Sequence, residues 1–82
     1  MLKDVAIEID RIYVPVKHTK GFDADKAQAL AEDILENGLR TPIQVREGKG
    51  RYVLVTGNHR LEAMKALGEH TIQAYIVAAR QV

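Results

Sequence analysis

Four consecutive residues, Gly57, Asn58, His59 and Arg60, form the stretch of this 82-residue chain whose side chains are best suited to chemistry. They follow an apolar run, residues 51–56, that predicts a buried strand, and they open a pattern that predicts a helix. Amides at a helix N-terminus lack partners and carry partial positive charge, so they attract anions. Gly57 leaves the backbone open to a ligand, and the planar guanidinium of Arg60 matches phosphate oxygens. The stretch predicts a phosphate-binding turn, with His59 as a second side-chain donor.

The same four residues also have a plainer interpretation. Asn58 would cap the helix, while His59 and Arg60 would point into solvent. A cation in the first turn of a helix is disfavoured by the helix dipole, by about a few tenths of a kcal/mol unless an anion compensates it. That conflict indicates a ligand without requiring one, and local physics leaves both interpretations open.

The clearest predicted helix lies before the turn. Asp23 is placed to be its N-cap and Gly38 to end it. Phe22 occupies the position of a hydrophobic staple. Between these ends, apolar residues recur at the spacing of one helix face. The predicted inward stripe consists of Ala27, Leu30, Ala31, Ile34 and Leu35.

The remaining elements complete an α/β domain. Strand patterns cover residues 5–9, 43–46, 51–56 and 71–77, and residues 47–50 have the composition of a hairpin loop. Asp10 and Arg11 interrupt the first strand before residues 12–14, after which Pro15 stops regular pairing. Residues 16–21 are predicted to be a loop. The second helix, which Gly68 ends, turns four residues inward: Leu61, Ala63, Met64 and Leu67. The order is β-α-β-β-α-β around a mixed sheet, in one domain over residues 1–82.

Composition sets broad limits on the function. A hydrophobic content of 46% is enough for one modest core, and the absence of cysteine excludes disulfides, thiolate zinc sites and a cysteine nucleophile. The net charge of +1 argues neither for nor against DNA binding. The histidines at 18, 59 and 70 lack metal-ligand spacing. With no apolar run of about 18 residues and no signal-peptide pattern, we expect a cytoplasmic protein without membrane contact.

Residues 56–63, Thr-Gly-Asn-His-Arg-Leu-Glu-Ala, resemble the second conserved box of ParB N-terminal domains, in which a Gly-x-x-Arg turn binds nucleotide phosphates. They are also similar to the Gly-Cys-His-Arg turn of sulfiredoxin, whose His and Arg contact ATP. Residues 22–23, 38–39, 41–43 and 45–46 resemble the first ParB box. The resemblance covers roughly residues 7–77. It implies a ParB/sulfiredoxin-like α/β fold with two helices on a mixed sheet.

The resemblance implies a nucleotide site. Gly57, His59 and Arg60 match the phosphate-binding positions, and Thr41 and Pro42 correspond to the ParB turn that lines the nucleotide. The implied ligand is a nucleoside triphosphate, CTP or ATP, with Mg²⁺ held mainly by the phosphates.

Other positions match the sulfiredoxin pocket only in part. Lys26 aligns with a lysine that contacts ATP, although a solvated helix lysine explains it as simply. Ala29 and Asp33 stand where that enzyme has hydroxyl side chains touching the nucleotide. Asn58 replaces the nucleophilic cysteine, and an amide cannot perform that step. Reduction of a sulfinic acid is therefore excluded.

Three classes of function remain open at this point. The first is a nucleotide-binding module with slow or no hydrolysis. The second is an enzyme of the nuclease or phosphotransferase kind, since some members of the superfamily are nucleases and others resemble a kinase acting on free serine. Such chemistry needs a carboxylate beside the phosphates. Glu8 and Asp10 are weak candidates for it, as is Asp33, and each is equally explained as a solvated charge.

The third class is a DNA-associated adaptor that has lost its ligand. Lys17 and Lys20 flank His18 in a small basic cluster that would meet phosphate. The partners implied are DNA or a DNA-bound protein, and exposed sheet edges would allow a homodimer. Full ParB proteins continue into a helix-turn-helix and a dimerisation domain. This chain stops five residues after its last predicted strand, so we do not expect these residues alone to recognise a partition site.

Overall fold

The computed structural model describes residues 3–78, so residues 1–2 and 79–82 of the predicted domain lie outside the described residues. Two helices and five strands follow one another along the chain in the predicted order, with one strand added. They are β1 (Asp4–Glu8), β2 (Ile12–Tyr13), α1 (Ala24–Asn37), β3 (Ile43–Glu47), β4 (Tyr52–Thr56), α2 (Asn58–Ala66) and β5 (Thr71–Ile76).

The strands form one mixed sheet in the order β1-β5-β3-β4-β2. β1 pairs with β5, and β3 with β4, in antiparallel fashion, while β5–β3 and β4–β2 are parallel. This arrangement confirms the predicted α/β fold. The added strand is β2, which a short 3-10 turn, Ile9–Arg11, separates from β1. Because of that turn, two segments that follow each other in sequence lie at opposite edges of the sheet.

The core lies between the two helices and one face of the sheet. Its most deeply buried side chains come from the three central strands and from α2. Three of the four residues predicted to face inward from α2 are buried, and the fourth packs against them from a half-buried position. The buried core cluster comprises Ile7, Ile9, Ala31, Ile34, Ile43, Val45, Leu54, Leu61, Ala63, Met64, Ile72 and Ala74.

Helix α1 begins and ends where the sequence predicts. Asp23 Oδ1 accepts hydrogen bonds from the amides of Asp25 at 2.9 Å and Lys26 at 3.4 Å. At the other end Gly38 has a φ of 77° and donates its N–H to Ile34 O at 2.7 Å. The caps satisfy groups that a helix leaves without partners at each end.

The predicted stripe on α1 is wrong at one residue, Leu35. Leu35 is 76% exposed, whereas Ala27, Ala31 and Ile34 are buried. With 3.6 residues per turn, Leu35 lies about 80° around the helix axis from Ala27. The buried residues of α1 occupy a narrower arc than that, so position i+8 falls outside the contact with the core.

Candidate nucleotide-binding site

The turn between β4 and α2 is built on Gly57. This residue has φ 110° and ψ 28°, a left-handed conformation that favours glycine. A Cβ atom added at Gly57 would lie 2.6 Å from Ile43 Cγ2, which is too close for any real contact. A glycine also supplies no capping side chain to α2. The amides of the first turn of α2 therefore remain available to an anion.

Asn58 is the first residue of α2, and its side chain points towards the loop before α1. Its Nδ2 donates to His18 O at 2.9 Å, while its Oδ1 is buried without a hydrogen-bond partner among the described residues. His18 Nε2 lies 3.1 Å from Leu54 O. Asn58 thus ties the loop to α2 by its side chain, and any contact with a ligand would be through its backbone amide.

His59 joins the starts of the two helices. Its Nε2 accepts a hydrogen bond from the backbone N–H of Asp23 at 3.0 Å. Its ring stacks on that of Phe22, with 5.2 Å between centroids and 15° between planes. Because Nε2 accepts in this arrangement, Nδ1 carries the ring hydrogen. Of the donors that the sequence predicted at His59, Nδ1–H is the one left for a ligand.

Arg60 connects the turn to the other predicted part of the site. Its Nη1 donates to Thr41 O at 3.4 Å, a long and weak hydrogen bond across 19 residues of sequence. Thr41 and Pro42 lie just before β3, whose first residue, Ile43, packs against Gly57. The structure therefore brings the turn and Thr41–Pro42 side by side.

Two adjoining grooves run from this turn along α1. The turn groove, of about 390 Å³, is lined by Leu30, Thr56 and residues 57–60. The helix groove, of about 500 Å³, is lined by Lys26, Ala29, Leu30, Asp33 and His59. Leu30 and His59 belong to both. Lys26 is thus brought to the same surface as the turn.

The carboxylates are distributed unevenly around these grooves. Asp33 lines the helix groove, where its Oδ1 accepts from Asn37 Nδ2 at 2.9 Å and from Arg40 Nη2 at 3.4 Å. Glu8, at the end of β1, and Asp10, in the 3-10 turn, are both exposed, and neither lines the turn groove or the helix groove. The structure does not bring these two predicted catalytic candidates to the phosphate turn.

The contact between Phe22 and His59 is the part of the site that the sequence did not indicate. Phe22 was predicted as a staple within its own helix, yet its ring stacks on a residue that is 37 positions later. An aromatic residue beside a helix N-cap gives no signal of a partner so far along the chain.

Within residues 3–78, no group of three or more His, Asp or Glu side chains is placed to hold a metal ion. In the same part of the chain, neither helix is long and apolar enough to cross a membrane.

A glycine turn between a central strand and a helix, on a mixed sheet with two helices, is the arrangement of the ParB/sulfiredoxin class of α/β domain. Residues 3–82 match the family model described as the ParB N-terminal domain, so this chain belongs to that family. A relative, the probable chromosome-partitioning protein ParB of Campylobacter jejuni, is 42% identical over 71 residues. That match covers 85% of this chain and 26% of the relative, so the chain spans about a quarter of the length of that protein.

Solved structures with the same fold include an enzyme and a partitioning protein. Sulfiredoxin from Arabidopsis thaliana superimposes with a TM-score of 0.83 at 34% identity, covering 94% of this chain and 86% of the enzyme. C-terminally truncated ParB from Caulobacter crescentus, in complex with CTP-γ-S, superimposes with a TM-score of 0.84 at 22% identity. That match covers 96% of this chain and 46% of the other, and at this identity it shows the fold alone.

Proposed function

We propose that this chain is a nucleotide-binding module that holds a nucleoside triphosphate at the turn from Gly57 to Arg60. The observation that most supports this proposal is the hydrogen bond from Arg60 to Thr41 O, which joins the turn to Thr41–Pro42. The phosphates would lie on the free amides of α2 and on Arg60, with His59 Nδ1–H as a further donor. Ligand binding would replace or bridge the 3.4 Å contact of Arg60, which is weak enough to give way.

The charges around the grooves support one orientation of the ligand. Lys26 and Arg60 provide cations near the start of the two helices, and the α2 dipole adds partial positive charge there. Asp33 lies further along α1, about 10 Å from Lys26 at 1.5 Å per residue. Phosphates are repelled by a carboxylate, so the triphosphate belongs at the Arg60 end. The base would then contact Thr41–Pro42, the position that the resemblance to ParB implies for it, beside the contact of Arg60 with Thr41 O.

The nucleotide class is supported by the relatives. ParB from Caulobacter crescentus has been solved with CTP-γ-S, a triphosphate analogue. ATP is the ligand that the resemblance to sulfiredoxin implies, although Ala29 and Asp33 replace the hydroxyl side chains of that enzyme in the helix groove. We therefore propose CTP or ATP as the ligand, with Mg²⁺ carried by the phosphates.

Binding with slow or no turnover fits the position of the carboxylates. Hydrolysis or phosphoryl transfer requires a general base or a metal ligand beside the phosphates. Asp33 is already held by Asn37 and Arg40, and neither Glu8 nor Asp10 lines the grooves. Phosphate release from the bound nucleotide, followed with and without Mg²⁺, measures this directly. Fast release of phosphate would support the hypothesis that the protein is an enzyme.

Thermal unfolding in the presence of CTP, ATP, ADP, GTP or inorganic phosphate, each with and without Mg²⁺, tests the proposal. A ligand at 100 times its dissociation constant stabilises the fold by about 2.7 kcal/mol, which for a domain of this size raises Tm by roughly 10 °C or more. We expect a nucleotide-selective rise in Tm that disappears in Arg60→Ala.

Arg51→Ala is the matched control, because it removes an arginine that lines neither the turn groove nor the helix groove. It should keep the nucleotide-dependent rise in Tm. A rise that survives Arg60→Ala, or that is lost equally in Arg51→Ala, contradicts the assigned site. No rise with any ligand contradicts nucleotide binding itself.

A further inference from the structure

A third groove lies on the face of the sheet away from the helices. The register of β3 and β4 places Val45 opposite Leu54, and both are in the core. The next pair, Arg46 and Val53, must project from the other face because side chains alternate along a strand. On that face a groove of about 760 Å³ is lined by Pro15, Lys17, Arg46, Val53, Leu54, Val55, Val77 and Ala78. We refer to it as the outer groove.

The outer groove is positively charged and has an apolar floor. Lys17 and Arg46 line it, no acidic residue does, and neither cation forms an ion pair with a described residue. Val55, which is 37% exposed, supplies apolar surface beside them, next to the buried Val53. Two cations without counter-charges, beside apolar surface, complement a ligand that carries both anionic groups and flat apolar groups.

An aromatic ring extends this surface at the edge of the sheet. Tyr13 in β2 pairs with Val53 in parallel register, so its ring is on the same face as Arg46. The ring is 44% exposed, and the Arg51 guanidinium lies over it at 4.0 Å from its centroid. Bases stack both on aromatic rings and on guanidinium planes. Tyr13 and Arg51 therefore form a platform next to the cations of the outer groove.

We infer that the outer groove is a second binding site, which takes a single-stranded nucleic acid independently of the nucleotide site. Its backbone phosphates would contact Lys17 and Arg46, and a base would stack on the Arg51–Tyr13 platform. A single strand fits this combination because its bases are free to stack, whereas the bases of a duplex are covered. The inference does not rest on nucleotide binding, since the outer groove and the phosphate turn lie on different surfaces of the domain.

Fluorescence anisotropy with a labelled 12-nucleotide oligo-dT at several salt concentrations tests this inference. For single strands, log K falls with log salt by about 0.7 for each phosphate contact. The variant Lys17→Ala/Arg46→Ala should bind more weakly, with a slope reduced by about 1.4. Lys17→Ala alone should reduce the slope by about half as much and serves if the double variant does not fold. Tyr13→Ala should weaken binding by about five-fold or more.

Two control variants distinguish the outer groove from general surface charge and from the proposed nucleotide site. Lys3→Ala/Lys65→Ala removes the same charge from exposed lysines outside the groove, and Arg60→Ala removes the proposed nucleotide site. Both should keep the binding of oligo-dT. No binding at low salt overturns the inference, as does equal loss in Lys3→Ala/Lys65→Ala. Equally tight binding of the matching duplex, or of a poly-glutamate peptide, overturns the assignment to a single strand.

Discussion

At the scale of single residues, Gly57 combines two requirements that the sequence could not separate. Its φ of 110° favours glycine, and its Cα lies so close to Ile43 that no Cβ can be accommodated. Both are requirements of the fold and hold with or without a ligand. A glycine before a helix is therefore not by itself a sign of a phosphate site, and the weight of the functional argument rests on Arg60.

Gly57→Ala should lower the free energy of unfolding by about 2–5 kcal/mol, from backbone strain and from the clash with Ile43. Gly68→Ala is the matched control, because Gly68 has a similar left-handed φ of 78° but open space around its Cα. That variant should lose about 1–2 kcal/mol. Urea unfolding of the two variants measures the difference. Equal losses would show that Ile43 moves aside and that the clash has no role.

At the scale of elements, α1 shows how a hydrophobic pattern overstates a buried face. The sequence predicts Leu35 in the same stripe as Ile34, but the helix turns Leu35 to the solvent. The groove that Leu35 lines with Leu39 and Leu67 is open on the surface. Spacing at i, i+3 and i+4 identifies a helix, and contact with α2 and the sheet decides where the buried arc ends.

Two adjacent substitutions test the rotation of α1 about its axis. Ile34→Ala should cost about 2–4 kcal/mol of unfolding free energy, because Ile34 is packed in the core. Leu35→Ala should change it by no more than about 0.5 kcal/mol, as for other surface positions. Chemical denaturation of both variants gives the two values. A large loss at Leu35 would mean that a further contact covers this residue in solution.

At the scale of the whole molecule, the two helix starts are held together by contacts between residues far apart in the chain. Phe22 stacks on His59, and His59 accepts from the amide of Asp23, the N-cap of α1. The loop before α1 is attached to α2 a second time by Asn58. The proposed nucleotide site is thus bounded by residues from two helices whose relative position depends on these links.

A double-mutant cycle on Phe22→Ala and His59→Ala measures this link. We expect a coupling energy of about 0.5–1.5 kcal/mol, the range for stacked aromatic pairs, in urea unfolding. Phe22→Ala combined with Lys49→Ala, at an exposed lysine in the loop between β3 and β4, provides a control pair whose effects should add. Additive effects for Phe22 and His59 would mean that the stack contributes nothing to stability and that the loop is held by Asn58.

The elements and the glycine turn before α2 could be predicted because they depend on neighbours in sequence. Apolar spacing identified α1 and α2, Asp23 and Gly38 marked the ends of α1, and the strand-glycine-helix order marked the turn. Each of these signals acts within about one or two turns of chain. The resemblance of residues 56–63 to a ParB box extended them to a family, which the match over residues 3–82 confirms.

The rest depended on contacts between distant residues, for which a single sequence carries no local signal. Strand β2 pairs with a strand 40 residues later, an arrangement that two residues of apolar pattern could not indicate. His59 also accepts a hydrogen bond at Nε2, which the sequence did not indicate, because Asp23 is brought to it from 36 residues away. The outer groove exists because β3 and β4 become neighbours of the segments that follow β2 and β5. Folding determined which of the predicted polar side chains line the grooves and which hold the protein together.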